Sequence, residues 1–254
     1  MKNQYFGDIN DYRKYGLLRV ISRCSRLRLL IAWMLTPDDG GRDGKRVAYL
    51  GNPSRWAHHD PALLQSLNDL IIPDCQRAVR MIEQSELLGN AGYSSRIVPD
   101  AKTDREQWFE SLREEAQSYD FVFLDPDNGL EVKSKPYGVR NSSKFLYWRE
   151  VEALWSSGKS LLIYQHFIRE KRVPFTQRML EALKRATPGS SVEAFSTRHV
   201  VFLMALQPKH QPFHTEIVAT VQEQWADQIK HWELTCAQQD ALPNRSTTTQ
   251  LRIG

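Results

Sequence analysis

Cysteine is the first thing this chain has little of. It holds only three cysteines, Cys24, Cys75 and Cys236, odd in number and far apart. That spacing excludes a disulfide framework and the paired-cysteine pattern of a zinc site, and it fits a reducing compartment. Long apolar runs are also missing. None approaches the ~18 residues that span a bilayer, so no membrane partner is expected. The opening MKNQYFGDIND is polar and acidic, unlike a secretory leader, and a cytoplasmic location is the expectation. Charge of one sign is scarce too: 34 Lys and Arg stand against 30 Asp and Glu, a net +4. So mild an excess permits a nucleic-acid or nucleotide partner without requiring one. No repeat and no linker divides the 254 residues. A single domain over 1–236 is expected, followed by a polar, mobile tail over 237–254. Oligomeric state has no signature in the sequence.

What is present is concentrated in Tyr119 to Lys133, YDFVFLDPDNGLEVK. Phe121-Val122-Phe123-Leu124 has the composition of a strand buried on both faces, as in a parallel sheet. Asp125-Pro126-Asp127-Asn128-Gly129 then stops it, by a missing N–H, by free φ and by side chains that bond nearby backbone. Two carboxylates and an amide thus stand at the carboxyl end of a central strand, where open α/β sheets bind ligands.

The rest of the chain alternates around that strand. Asp8 or Asn10 caps a helix through Leu17, Leu18, Val20 and Ile21. Its start, dense in Asp8, Asp11, Tyr12, Arg13, Lys14 and Tyr15, is either a solvated face or a substrate-contacting segment. Leu27 to Leu35 is a helix end or the first strand, and Thr36 to Gly44 breaks the chain. Arg46–Gly51 is expected as a strand. Asp60-Pro61 opens a helix carrying Leu63, Leu64, Leu67, Leu70 and Ile71. Further helices are expected over Asp74–Leu88, Asp104–Gln117, Tyr147–Trp155, Pro174–Ala186 and Thr215–Trp232. Strands are expected over Ser95–Pro99, Lys159–Phe167, Val192–Phe195 and His199–Leu206. The pattern is that of a doubly wound, mainly parallel α/β sheet. Its last two strands are joined too closely for a parallel crossover, so they form an antiparallel hairpin.

A parallel sheet finished this way resembles the methyltransferase variant of the Rossmann-like folds. Asp125, Pro126 and Asn128 are similar to the (D/N)PP(Y/F/W) motif of adenine-N6 and related ribosomal-RNA methyltransferases, with Asp127 in place of the second proline and Asn128 in place of the aromatic. The resemblance implies S-adenosylmethionine as cofactor, held by the segment after the first strand. There Thr36, Asp39, Gly40 and Gly41 stand without the G-x-G spacing. Within that reading Asp125 and Asn128 orient the substrate; the strand-end position of Asp127 and His166 adds them to the catalytic group, and the polar start of the first helix offers Tyr12, Arg13 and Lys14 as substrate contacts.

Two other functions use the same residues. Asp125, Asp127 and Glu131, with Lys133 nearby, have the residue types of a nuclease or phosphodiesterase that holds Mg2+ or Mn2+. A non-catalytic nucleic-acid-binding module is the third reading. His166 ends the YQH strand as a candidate base or ligand, with Gln165 as the alternative inward residue. His58-His59 is an adjacent pair and a weak metal signal. Trp108, Trp148, Trp155 and Trp225 fall on helical stripes and are assigned to the core. Tyr5, Tyr12, Tyr15, Trp56 and Tyr137 are the aromatics placed to stack on bases. Lys133, Lys135, Arg140 and Lys144 are either a solvated loop or a phosphate rim.

Overall fold

The computed structural model describes residues 1–41, 43–71 and 77–235. The tail expected from residue 237 lies outside them, as do residues 74–76 of the expected helix Asp74–Leu88. Asp8 caps helix α1, Ile9–Ser25, its carboxylate accepting from Asn10 N at 3.0 Å. Strand β1 follows at Leu29–Ala32, then the short α2, Pro53–Trp56, and α3, Pro61–Ile71. After them come α4, Arg80–Glu83, strand β2, Gly92–Ser94, and α5, Lys102–Ala116. The central strand β3 is Phe121–Leu124, all four residues buried. The two-residue strands β4, Gly129–Leu130, and β5, Phe145–Leu146, form a small ladder before α6, Trp148–Ser156. The chain finishes with β6, Ser160–His166, α7, Arg172–Ala186, β7, Ser191–Ser196, β8, Val200–Leu206, α8, His214–Trp225, and β9, Lys230–Glu233.

The main sheet runs β2-β1-β3-β6-β8-β7-β9. Its first four strands pair in parallel. The β7–β8 hairpin is antiparallel, and β8 inserts between β6 and β7. Side chains alternate across the strands. Ile31, Phe121, Phe123 and Leu162 face a core shared with α1, α3 and α8. Leu30, Val122, Leu161 and Ile163 face one shared with α5, α6 and α7. Helices therefore cover both faces of the sheet.

Helix α1 is buried almost all round, including Asp11, Arg13 and Lys14, so its polar start is not a solvated face. Gly16 is the reason α8 can lie so near: a Cβ there would overlap the Trp225 ring. The glycine costs about 1 kcal/mol of helix propensity, and the fully buried Trp225 offsets it.

Four expected elements differ. Arg46–Gly51 is no strand; Ala48–Gly51 forms a 3-10 turn. Asp8 takes the Arg46 N–H at 3.1 Å, and the Tyr49 hydroxyl donates to Gly7 O at 3.1 Å. Those bonds wrap the segment around the start of α1 instead of the sheet. The strand expected over Ser95–Pro99 lies earlier, at Gly92–Ser94, with only an isolated Leu35–Ile97 bridge beyond it. Of the helix expected over Asp74–Leu88, only α4 forms among the described residues. The last helix stops at Trp225, and Lys230–Glu233 returns as edge strand β9 against β7. No helix among the described residues is long and apolar enough to cross a membrane.

Candidate functional site

The turn after β3 is held in shape from β6. The Gln165 amide oxygen accepts from Leu130 N at 2.7 Å, and its nitrogen donates to His166 O at 2.7 Å. Gly129 packs on that amide with φ +96°, and a Cβ there would sit 2.5 Å from Gln165 Oε1. Gln165 therefore pins the loop, and strand alternation turns Tyr164 and His166 the other way. Gly129→Ala is expected to lose about 1–3 kcal/mol in urea denaturation, because both the φ and the contact are unfavourable. An unchanged midpoint would contradict this account of the turn.

Beyond the turn opens a cleft of about 730 Å3 at the carboxyl ends of β3 and β6. Asp11, Lys14, Asp125, Asp127, Tyr164 and His166 line it, with Lys45, Arg46 and His199 also on its wall. Asp125 and His166 thus share one crevice. Lys14 reaches across the floor from α1. Its amine lies 2.7 Å from Asp11 Oδ1 and 2.6 Å from Asp125 Oδ2, over the Tyr164 ring at 5.1 Å. Asp11 also accepts from Gly7 N at 3.0 Å and from the Tyr15 hydroxyl at 3.3 Å.

Burial works against every charge here. It pulls the Lys14 amine down, but Asp11 and Asp125 outweigh it, and the net shift is upward. Burial raises the Asp11 carboxyl, with Lys14 opposing. Burial also pushes the Tyr164 phenol well above its ordinary value. His166 is held below 6.5, by burial first and against the pull of Asp125 and Asp127. Its imidazole is therefore neutral at pH 7.

Asp127 is the least satisfied group. It is only 8% exposed. Its Oδ2 is 3.6 Å from Lys2 Nζ and 3.8 Å from Lys144 Nζ, and its Oδ1 has no hydrogen-bond partner among the described residues. A buried carboxylate oxygen without a donor costs free energy until one arrives.

The remaining expected residues divide. Asn128 is exposed on the cleft wall, its backbone N–H donating to Lys144 O at 2.8 Å. Of Tyr12, Arg13 and Lys14, only Lys14 enters the cleft. Tyr12 is fully buried, 5.1 Å from the Trp225 ring, and donates to Trp56 O at 2.8 Å. Arg13 is tied to Gln228 Oε1 at 2.7 Å. Thr36, Asp39, Gly40 and Gly41 lie outside the cleft lining; Thr36 is buried, and Asp39 pairs with Lys2 at 2.5 Å. Glu131 is spent on α6, accepting from Trp148 N at 3.0 Å. Asp8 and Asp11, from the segment expected either as a solvated face or as a substrate contact, line the cleft, and so does Tyr164, which the sequence did not single out. Two signals were available: Asp11 precedes Lys14 by three positions on one helix face, and Tyr164 alternates with His166.

Among the described residues, two sets of side chains converge closely enough to hold an ion, His58 with His59 and Asp227, and Glu193 with His214 and His231. Neither belongs to the cleft. The fold and the site together define an α/β protein with a mostly parallel central sheet and a ligand-sized cleft at its strand ends. No family model matches the chain, and no curated protein matches it in sequence.

Proposed function

We propose that the chain is an enzyme related to the S-adenosylmethionine-dependent methyltransferases, acting on an amine- or hydroxyl-bearing group of a nucleotide or nucleic acid. The observation that carries this reading is the orphan Asp127 Oδ1 in the same cleft as a neutral His166. An antiparallel β8 between β6 and β7 supports the methyltransferase-like variant of the fold. Fold likeness alone is an association, so the weight rests on the site.

The segment Thr36–Gly41 does not fit a donor cradle. A Cβ on Gly40 would meet nothing within 4 Å, and one on Gly41 would meet only Asp39 and Gln4. The cleft itself fits better: its volume suits a nucleoside-sized ligand, and among its aspartates Asp127 keeps one oxygen free of any hydrogen bond among the described residues. When bound, the donor supplies an electrophilic methyl group. Asp127 accepts a hydrogen bond from the acceptor N–H or O–H and aims its lone pair. His166 takes the proton that the acceptor loses. Lys14 fixes Asp125 and keeps the floor from accumulating negative charge.

Two of the carboxylates that the metal-dependent alternative would use are already engaged, Asp125 by Lys14 and Glu131 by Trp148 N. Lys14 sits between Asp11 and Asp125, where a cation would be needed, and Glu131 caps a helix. Calorimetry decides between the two. Titration of S-adenosylmethionine in the presence of chelator is expected to release heat, and Asp127→Asn is expected to reduce it. Silence from the donor, with Mn2+ heat that Asp125→Asn abolishes, would overturn the reading in favour of a phosphodiesterase. Silence from both would leave a binding module.

A further inference from the structure

A second cluster lies on other strands and shares no residue with the cleft lining. Glu193 on β7, His214 at the start of α8 and His231 on β9 converge from three elements. His214 Nε2 is 2.9 Å from Glu193 Oε1, and His231 Nε2 is 2.6 Å from Glu193 Oε2. Sheet register explains the meeting. His231 pairs with Phe195, two residues from Glu193, so both side chains stand on one face of the sheet. Glu193 and His231 side chains are 9% and 8% exposed, whereas His214 is 27% exposed.

We propose that Glu193, His214 and His231 form a binding site for a divalent transition-metal ion, Zn2+ in the first instance. Two imidazole nitrogens and one carboxylate are a donor set that suits a borderline cation. The three ligand atoms already lie within 4.8 Å of one another. Tetrahedral zinc with bonds of about 2.1 Å separates its ligands by roughly 3.4 Å. The present contacts therefore need only a small opening by side-chain rotation. Each imidazole meets the ion through Nε2 as the neutral Nδ1–H tautomer, the proton that bridges Nε2 to Glu193 passing through solvent to Nδ1 as the ion enters. The half-exposed His214 leaves a path in and a position for water. Once bound, the ion ties the edge strand β9 to β7 and to the start of α8.

The His58, His59 and Asp227 set is a poorer candidate and serves as the control. Two of its three members, His58 and Asp227, are exposed, the Asp227 side chain by 59%, so solvent competes for their ligand atoms.

The test uses the whole chain, stripped of metal by chelator and dialysed. Zinc alone is titrated by calorimetry, and cobalt is followed by visible absorption, which reports four-coordinate geometry. One equivalent of Zn2+ is expected to bind and to raise the melting temperature. His214→Ala and Glu193→Gln are each expected to weaken binding roughly tenfold or more, and His58→Ala to leave it unchanged. His214 is partly exposed, so its variant reports on binding even if a substitution at His231 unfolds the edge strand. Absence of zinc binding, or binding lost in His58→Ala and retained in His214→Ala, would overturn the proposal.

Discussion

Replacing Lys14 by methionine is expected to destabilise the protein by on the order of 3–5 kcal/mol, measured by urea denaturation at pH 7. The substitution keeps the aliphatic bulk and removes the charge. Asp11 and Asp125 are then left buried without their shared cation. One of them must take a proton or draw in water, and either response costs free energy. A double-mutant cycle isolates the cause. Lys14→Met with Asp125→Asn should recover part of the loss, because the second change removes the charge that the first abandons. The pH dependence gives an independent check. The folded amine titrates above its ordinary 10.5. Its contribution is therefore fully present below about pH 10.5 and is lost as the pH rises through the higher folded value. The variant should lack that alkaline loss. A cost below about 1 kcal/mol, with no change in alkaline behaviour, would mean that water already solvates the pair.

Asp127→Asn is expected to do the reverse, costing function while sparing the fold. Its Oδ1 makes no hydrogen bond among the described residues, so the folded protein gains little from that oxygen. The amide keeps the shape and loses the charge. A charge-assisted hydrogen bond is worth about 1.5–3 kcal/mol, which corresponds to roughly a tenfold to 150-fold loss in affinity or turnover. The melting temperature should stay level or rise, as it does when strained functional groups are relaxed. His166→Asn should lower turnover further, by roughly 10²–10⁴, as expected for a proton-transfer group. Wild-type turnover should hold level through the ordinary imidazole range and fall only at lower pH, because burial keeps the imidazole neutral to lower pH than usual. His166→Asn should flatten that profile. A drop in melting temperature for Asp127→Asn comparable to a core truncation would make the residue a structural turn.

The parts of this fold that were legible in sequence are those with one dominant local cause. Phe121–Leu124 is apolar enough that its strand ends where the Asp-Pro begins. The Asp8 cap and the Asp60-Pro61 helix start are likewise local. Arg46–Gly51 reads as a strand but is held by the start of α1, nearly forty positions away in the chain: Asp8 takes the Arg46 N–H, and the buried Tyr49 packs on Tyr12 at 5.3 Å. Edge strand β9 carries a weak signal, its residues being exposed or half-buried, so it read as a continuation of α8. The site was legible in its acids and in His166, since both stand at strand ends. It was not legible in its charge balance. Lys14 and Asp125 are 111 residues apart, and only the fold brings the amine between the two carboxylates. Glu131 shows the converse: its residue type suits a metal, and its position spends it on a helix terminus.

The central claim is that a ligand binds at the carboxyl ends of β3 and β6. Hydrogen–deuterium exchange with and without S-adenosylhomocysteine, the demethylated donor, tests it most directly. Slowed exchange is expected over residues 8–14, 43–46, 125–128 and 164–167, the segments that line the cleft. Protection confined to residues 36–41, or no change at any of these segments at saturating ligand, would contradict the account.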